Sequence, residues 1–226
     1  MENSRKYYEA YDDRYQQVHG ENLRWFTSQP SPIVGEVIAA FDGSAAWKCL
    51  EIGCGEGRDA VHLLNQGFDV LATDIAPAAI AYCRDHNPQF AAQFQVLDCI
   101  NGELDAGFDF IYAVAVIHML VLDGDRAAFY RFIREHLAPN GIALICTMGD
   151  GVTERQSDIR TAFDLQERIH EETGRTVHIA GTSCRIVSFE NFTRELNENG
   201  LIPVQMGTTA IEPDFPQMLY AVVKAE

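Results

Sequence analysis

Residues 51–59 read EIGCGEGRD and follow the apolar run WKCLEI of residues 47–52. Gly53, Gly55 and Gly57 alternate, which frees the backbone to turn sharply and to come close to something bulky. The β-rich run ahead and the helical pattern DAVHLLNQ behind make the stretch a strand, a turn and a helix. In an open α/β sheet such a turn aims its N–H groups into the crevice where ligands bind. A tight strand-to-helix turn without a ligand would ask for the same glycines, so the surrounding sequence must decide.

That sequence alternates short β-rich runs with helical patterns. FDVLAT (68–73) leads through Asp74 to PAAIAYCRDH; QFQVL (93–97) and DFIYAVAV from 109 follow, then the helical DRAAFYRFIREHL and IALICT from 142. Strands alternating with helices of this length imply crossover units and a parallel sheet. Pro77 lies just inside a helix start, Pro139-Asn140-Gly141 ends a helix before the next strand, and Asn199-Gly200 closes a helix begun at Ser188 or Phe189. LIPVQM and MLYAVVKA are apolar enough to be two last strands.

Two regions fall outside the alternation. The first forty residues hold Tyr7, Tyr8, Tyr11, Tyr15, Trp25 and Phe26 ahead of a helix at about Pro32 to Phe41. An insertion from Gly149 to Ser188 contains an amphipathic pattern near TAFDLQERIHEETG that predicts a helix. Both are long enough to cover the carboxyl ends of the strands, and together they are expected to roof a pocket. The reading is of one domain, 1–226, with cap helices in 1–45, a cofactor-binding core in 46–148, a lid in 149–188 and a C-terminal helix and strands in 189–226.

Hydrophobic residues make up 47% of the 226, ample for one full core. A formal net charge of −16 with no cluster of Lys and Arg argues against nucleic acid and anionic membrane as partners. The first residues lack a signal-peptide core and no later segment approaches a membrane span, so a cytoplasmic location is expected. The six cysteines show no CxxC pair and read as reduced, mostly buried thiols. The seven histidines show no ligand spacing, so no metal site is expected. Oligomeric state is left open.

Two glycine patterns compete for the turn. The dinucleotide pattern GxGxxG places a third glycine where this chain has Arg58, and aims a helix N-terminus at a pyrophosphate. The pattern (D/E)xGxGxG, known for S-adenosylmethionine, matches with Glu51 as its acid. A sulfonium amino acid carries a positive sulfur and an ammonium, which an acid at the strand end suits better than it suits an anion. Asp74 ends the next strand about twenty residues on, where a carboxylate can accept from ribose hydroxyls; alternatively it caps the helix that begins at Pro77. Asp98 in VLDC follows a third strand and can accept an adenine amino group, with the Cys99 N–H beside it, or it is a solvent-facing loop residue.

With these elements in order, the chain resembles the class I S-adenosylmethionine-dependent methyltransferases, in particular the branch acting on small molecules. The resemblance runs from about Trp47 to Thr147, through EIGCGEGR, ATDIA, VLDC, GFDFIYAVAVIHML and LAPNGIALI. It implies a Rossmann-like α/β fold: a seven-stranded, mostly parallel sheet in the order 3-2-1-4-5-7-6, its last strand antiparallel, with helices on both faces. It implies S-adenosyl-L-methionine as cofactor, with Gly53, Cys54 and Gly55 at the methionyl part, Asp74 and Ile75 at the ribose and adenine, Asp98 and Cys99 at the adenine edge, and the Val114 carbonyl at the ammonium. Near the end of the fourth strand the family often has an Asp and two histidines; here Val114-Ala115-Val116-Ile117-His118-Met119 lacks the acid.

Methyl transfer needs two reactants held close, aligned and dry; a base is needed only where the nucleophile must lose a proton. His118, after the fourth strand, and Asp150, in the MGDG turn, are the catalytic candidates, each with an alternative as an ordinary loop or turn residue. His178 and Arg185 sit in the insertion and could reach the pocket from above. Tyr7, Tyr11 and Tyr15 recur at helical spacing, which suits a packed face; the alternative is that a tyrosine such as Tyr11, or Trp25, closes over a sulfonium and contacts substrate. The expected activity is methyl transfer to an N, O or S nucleophile of a small molecule. An NAD(P)-dependent oxidoreductase and a non-catalytic S-adenosylmethionine-binding protein are the alternatives.

Overall fold

The computed structural model describes residues 5–25, 29–170 and 173–226; Phe26 lies outside them. In chain order the elements are α1 (Ala10–Gly20), α2 (Pro32–Ala40), β1 (Lys48–Ile52), α3 (Arg58–Asn65), β2 (Asp69–Asp74), α4 (Pro77–His86), β3 (Phe94–Val96), β4 (Phe108–Val114), α5 (Asp123–His136), β5 (Leu137–Met148), β6 (Arg155–Gln156), β7 (Leu165–Ile169), β8 (Thr176–Ala180), β9 (Arg185–Ile186), α6 (Phe189–Glu198), β10 (Leu201–Ile211) and β11 (Phe215–Ala225).

Seven strands form one sheet in the order β10-β11-β5-β4-β1-β2-β3. Six run in one direction, while β11 alone is reversed and pairs antiparallel with both β5 and β10. With β10 and β11 as the sixth and seventh strands of this sheet, the order is the expected 3-2-1-4-5-7-6. Alternation along the central strands assigns each residue to a face. Leu50, Ile52, Ile111 and Ala113 pack with Phe129 and Ile133 of α5 and Phe192 and Leu196 of α6. Their neighbours Cys49, Phe110 and Tyr112 pack on the other face with Val37 of α2, Leu63 of α3 and Ile80 of α4. Both faces of the sheet are thus covered, as parallel strands require.

Two elements differ from expectation. The segment expected as an amphipathic helix near TAFDLQERIHEETG is instead the antiparallel pair β7–β8, with Leu165 opposite Ala180 and Ile169 opposite Thr176. The cause is tertiary. Val177 and Ile179 alternate on β8 and pack against Val18 of α1 and Leu23, and the edge of β8 then recruits 165–169 as its ladder partner. Likewise Pro139-Asn140-Gly141 does not separate helix from strand. α5 ends at His136, and the chain enters β5 at once, with the tripeptide in a register shift against β4 and Asn140 at φ 68°. Among the described residues no helix is long and apolar enough to cross a membrane. The six cysteines are free thiols, with Cys49, Cys54, Cys83 and Cys146 buried and Cys99 and Cys184 partly so.

Candidate active site

The cleft at the carboxyl ends of β1, β2, β3 and β4 is built around the glycine turn. Gly53, Gly55 and Gly57 all have left-handed φ, at 72°, 53° and 80°. A Cβ on Gly53 would lie 2.5 Å from Val116 Cγ2, and one on Gly55 would lie 2.6 Å from the Tyr15 hydroxyl. The glycines are therefore required by conformation and by close approach together. Directly opposite, Ala115 leaves β4 at φ 60°, a strained position for a residue with a side chain.

Around this turn a cleft opens among Tyr8, Tyr11, Tyr15, Glu51, Gly53, Cys54, Gly55, Glu56, Asp74, Ile75, Leu97, Asp98, Cys99, Ile100 and Val114. The sequence candidates Glu51, Gly53, Cys54, Gly55, Asp74, Ile75, Asp98, Cys99 and Val114 are thus brought together. Gly57 stands one step back, under Cys83 and Phe94.

Asp74 accepts from Gly55 N through Oδ2 at 2.8 Å and from Ala76 N through Oδ1 at 2.9 Å. Ala76 is the residue before the first turn of α4, so one carboxylate both ties the glycine turn to β2 and closes the helix entry. Burial raises its pKa to about 6 against those two bonds, which act to lower it. Asp98 accepts from Ile100 N and Asn101 Nδ2, which orient it at the cleft wall. Glu51 is buried, accepts from the Tyr112 hydroxyl at 3.2 Å, and has its pKa raised well above the carboxylate range by burial and then by Asp59.

The acids flanking the glycines hold the N-terminal segment. Glu56 accepts from Trp25 N at 2.7 Å and lies 2.9 Å from His19 Nε2, while Asp59 accepts from Ser31 N and Ser31 Oγ at 2.6 and 2.7 Å. These bonds bring α1 over the cleft, where the Tyr8, Tyr11 and Tyr15 rings line it. Tyr7 of the same aromatic cluster is spent on structure, accepting from Val121 N and donating to Asp125.

A second cavity lies beyond the first, bounded by Arg14, Trp25, His118, Met148, Arg155, Arg168, His170, Thr182, Cys184 and Asp214. Tyr11, Met119 and Phe215 line both spaces, so the two are neighbours. His118 is buried, and its Nδ1 has no hydrogen-bond partner among the described residues. Burial, then the charges of Arg126 and Arg14, bring its pKa down to about 3. It is therefore a neutral hydrogen-bonding group and a weak base at neutral pH. Arg126 of α5 fixes it there by donating from Nη1 to Ile117 O and Leu120 O on either side, while Nη2 meets Glu195 of α6 at 2.6 Å.

The remaining candidates lie elsewhere. Asp150 is exposed and closes its own turn, accepting from Val152 N and Thr153 N, and it lines neither cavity. Arg185 pairs with Asp123 at 2.5 Å and lies 3.5 Å from Glu195, outside both linings. His178 is exposed on β8, 4.0 Å from Glu167. Sequence reading singled out none of Tyr8, Tyr15, Glu56, Arg14 and Phe215 as a site residue, although Tyr8 and Tyr15 stand among the aromatics expected to roof a pocket. The helical spacing of the tyrosines and the acid within GEG were visible signals for the first three; Phe215 reaches the site only because β11 inserts beside β5.

Residues 50–143 match the family described as a methyltransferase domain. Hemagglutinin 1 of Eikenella corrodens is 26% identical over 162 residues, covering 66% of this chain and 54% of that protein. The ubiquinone biosynthesis O-methyltransferase of Azorhizobium caulinodans is 31% identical over 104 residues, covering 45% of this chain and 40% of its own length. The chain thus spans about half, or less, of the curated relatives it matches. The structure of the CcbJ methyltransferase from Streptomyces caelestis shares the fold, with a TM-score of 0.70 at 16% identity over 96% of this chain and 98% of that one. Residues 50–143 thus match a methyltransferase domain, on a sheet order and glycine turn whose fold the CcbJ structure shares.

Proposed function

We propose that the chain transfers a methyl group from S-adenosyl-L-methionine, held at the glycine turn, to an N, O or S nucleophile of a small molecule held in the second cavity. The observation that carries this reading is that Tyr11, Met119 and Phe215 line both spaces, so that a molecule in the second would neighbour one at the glycine turn. The residues present fit the cofactor. Gly53 and Gly55 line the cleft with bare backbone, Asp74 and Asp98 offer acceptors for ribose hydroxyls and an adenine amine, and Ile75, Leu97 and Ile100 supply an apolar slot for a base. The cofactor supplies a methyl group on a leaving sulfur that is already good.

What remains for the protein is placement. Tyr8, Tyr11 and Tyr15 shut the cleft from water, and Val114 and Ala115 offer backbone carbonyls beside the turn. His118 can orient an acceptor by hydrogen bonding; its low basicity suits a nucleophile that arrives without a proton to lose or passes it to water. A dinucleotide fits the cleft poorly, because a pyrophosphate at the turn would face the carboxyl groups of Glu56, Asp59 and Asp74.

The test is binding followed by turnover. S-adenosylhomocysteine is expected to raise the melting temperature and NADH to leave it unchanged; the reverse would replace this reading with the oxidoreductase one. Release of labelled methyl from the cofactor onto a metabolite pool then separates an enzyme from a binding protein.

A further inference from the structure

The second cavity carries a charge opposite to that of the whole chain. Arg14 of α1 is 9% exposed and has no carboxylate partner among the described residues. Its Nε and Nη2 donate to Ala180 O, Nη2 also to Gly181 O and Thr182 Oγ1, and Nη1 has no hydrogen-bond partner among the described residues. Its guanidinium lies over Trp25, 4.8 Å from the ring centre. A buried cation held only by neutral oxygens is costly, and burial, with Arg168 nearby, lowers its pKa. Arg155 and Arg168 line the mouth of the same cavity and make no ion pair among the described residues; Arg168 bonds only Gln166. The carboxylate in the lining, Asp214, is already taken by Arg58 at 3.2 Å. His118, 3% exposed, adds a second buried polar group whose Nδ1 lacks a partner.

We infer that the methyl acceptor is an anionic small molecule, its carboxylate or phosphate seated on Arg14 beside His118, with Arg155 and Arg168 drawing it in. This rests on the methyltransferase reading only for the word acceptor; the oxyanion site stands on Arg14 itself. An oxyanion would complete the free Nη1 edge and supply the counter-charge that the fold withholds. Trp25 beside it suits a flat or apolar body attached to that anion. On a chain with a formal net charge of −16, such a site also selects by field, because the overall charge repels an anion that these arginines attract.

The test uses the full chain saturated with S-adenosylhomocysteine, and three probes of similar shape: benzoate, phenyl phosphate and benzamide. Binding is read by saturation-transfer NMR and calorimetry. Benzoate or phenyl phosphate is expected to bind at least about 10-fold more tightly than benzamide. The exposed pair change Arg155→Gln with Arg168→Gln is expected to weaken the anions about 3- to 10-fold and benzamide not at all. Arg14→Lys, which keeps the charge without the fork, is expected to weaken them further. Equal binding of benzamide, or no binding of either anion, would overturn the proposal. S-adenosylhomocysteine binding is measured separately, so loss of that signal rejects the methyltransferase reading without deciding the anion site. Which anion binds better identifies carboxylate or phosphate as the natural group.

Discussion

The Gly55 amide donates to Asp74 Oδ2 at 2.8 Å, locking the glycine turn onto the end of β2. The pKa of that carboxyl is raised to about 6 by burial. The ionised form is the better acceptor for ribose hydroxyls, so affinity for S-adenosylhomocysteine is expected to be steady above pH 7 and to fall as pH drops through about 6. A raised pKa contributes stability that is present below the unfolded value near 3.8 and lost as pH rises through 6. Cofactor affinity and this group's share of stability should therefore move in opposite directions. Asp74→Asn is expected to lose about 10- to 100-fold in affinity and to flatten the profile. Calorimetry from pH 5 to 8 checks this, and an unchanged affinity in the variant would remove Asp74 from the cofactor site.

Gly53→Ala combines a left-handed φ of 72° with a Cβ 2.5 Å from Val116 Cγ2. A loss of about 1–3 kcal/mol in urea unfolding is expected, together with weaker cofactor binding. Adding Val116→Ala relieves the collision but not the backbone strain, so the double variant should recover only part of the loss. Full recovery would show that contact alone matters there.

Glu195 on α6 neutralises Arg126 in the interior and also accepts from the Tyr130 hydroxyl at 2.8 Å. Glu195→Ala leaves a buried guanidinium without its carboxylate, at an expected cost of about 3–5 kcal/mol. Because Arg126 holds the carbonyls on both sides of His118, turnover should fall more than cofactor affinity does. Arg126→Met added to Glu195→Ala should restore much of the stability without restoring turnover.

His118 makes a prediction of opposite sign to Asp74. Its folded pKa of about 3 lies below the unfolded value near 6.5, so only the unfolded chain takes the proton between them. Its effect is absent above about pH 6.5, and stability falls by up to about 1.4 kcal/mol per pH unit as pH drops toward 3. The difference between the parent chain and His118→Asn, followed by chemical unfolding from pH 7 to 4, isolates this slope. Parallel curves would mean that the imidazole is not shielded as described.

The glycine-turn half of the candidate site was legible because its signals are local. A glycine that must adopt φ 53° or 72° is written as glycine, and Asp74 and Asp98 sit at fixed short distances from strand ends whose apolar patterns are plain. The insertion was misread for the complementary reason. TAFDLQERIHEETG carries a helical pattern of its own, and its strand state exists only because β8, packed on Val18 and Leu23, offers an edge.

Residue order alone determined the parallel sheet, its strand order by resemblance, and the acids and glycines of the first cleft, since backbone conformation and alternation act over a few residues. Tertiary structure decided the rest. It took Asp150 and Arg185 out of the site, turned His118 into a neutral group, and carried Arg14 and Phe215 from far-separated positions to one cavity. Burial, desolvation and charge pairing depend on neighbours remote in sequence, and no local pattern records them.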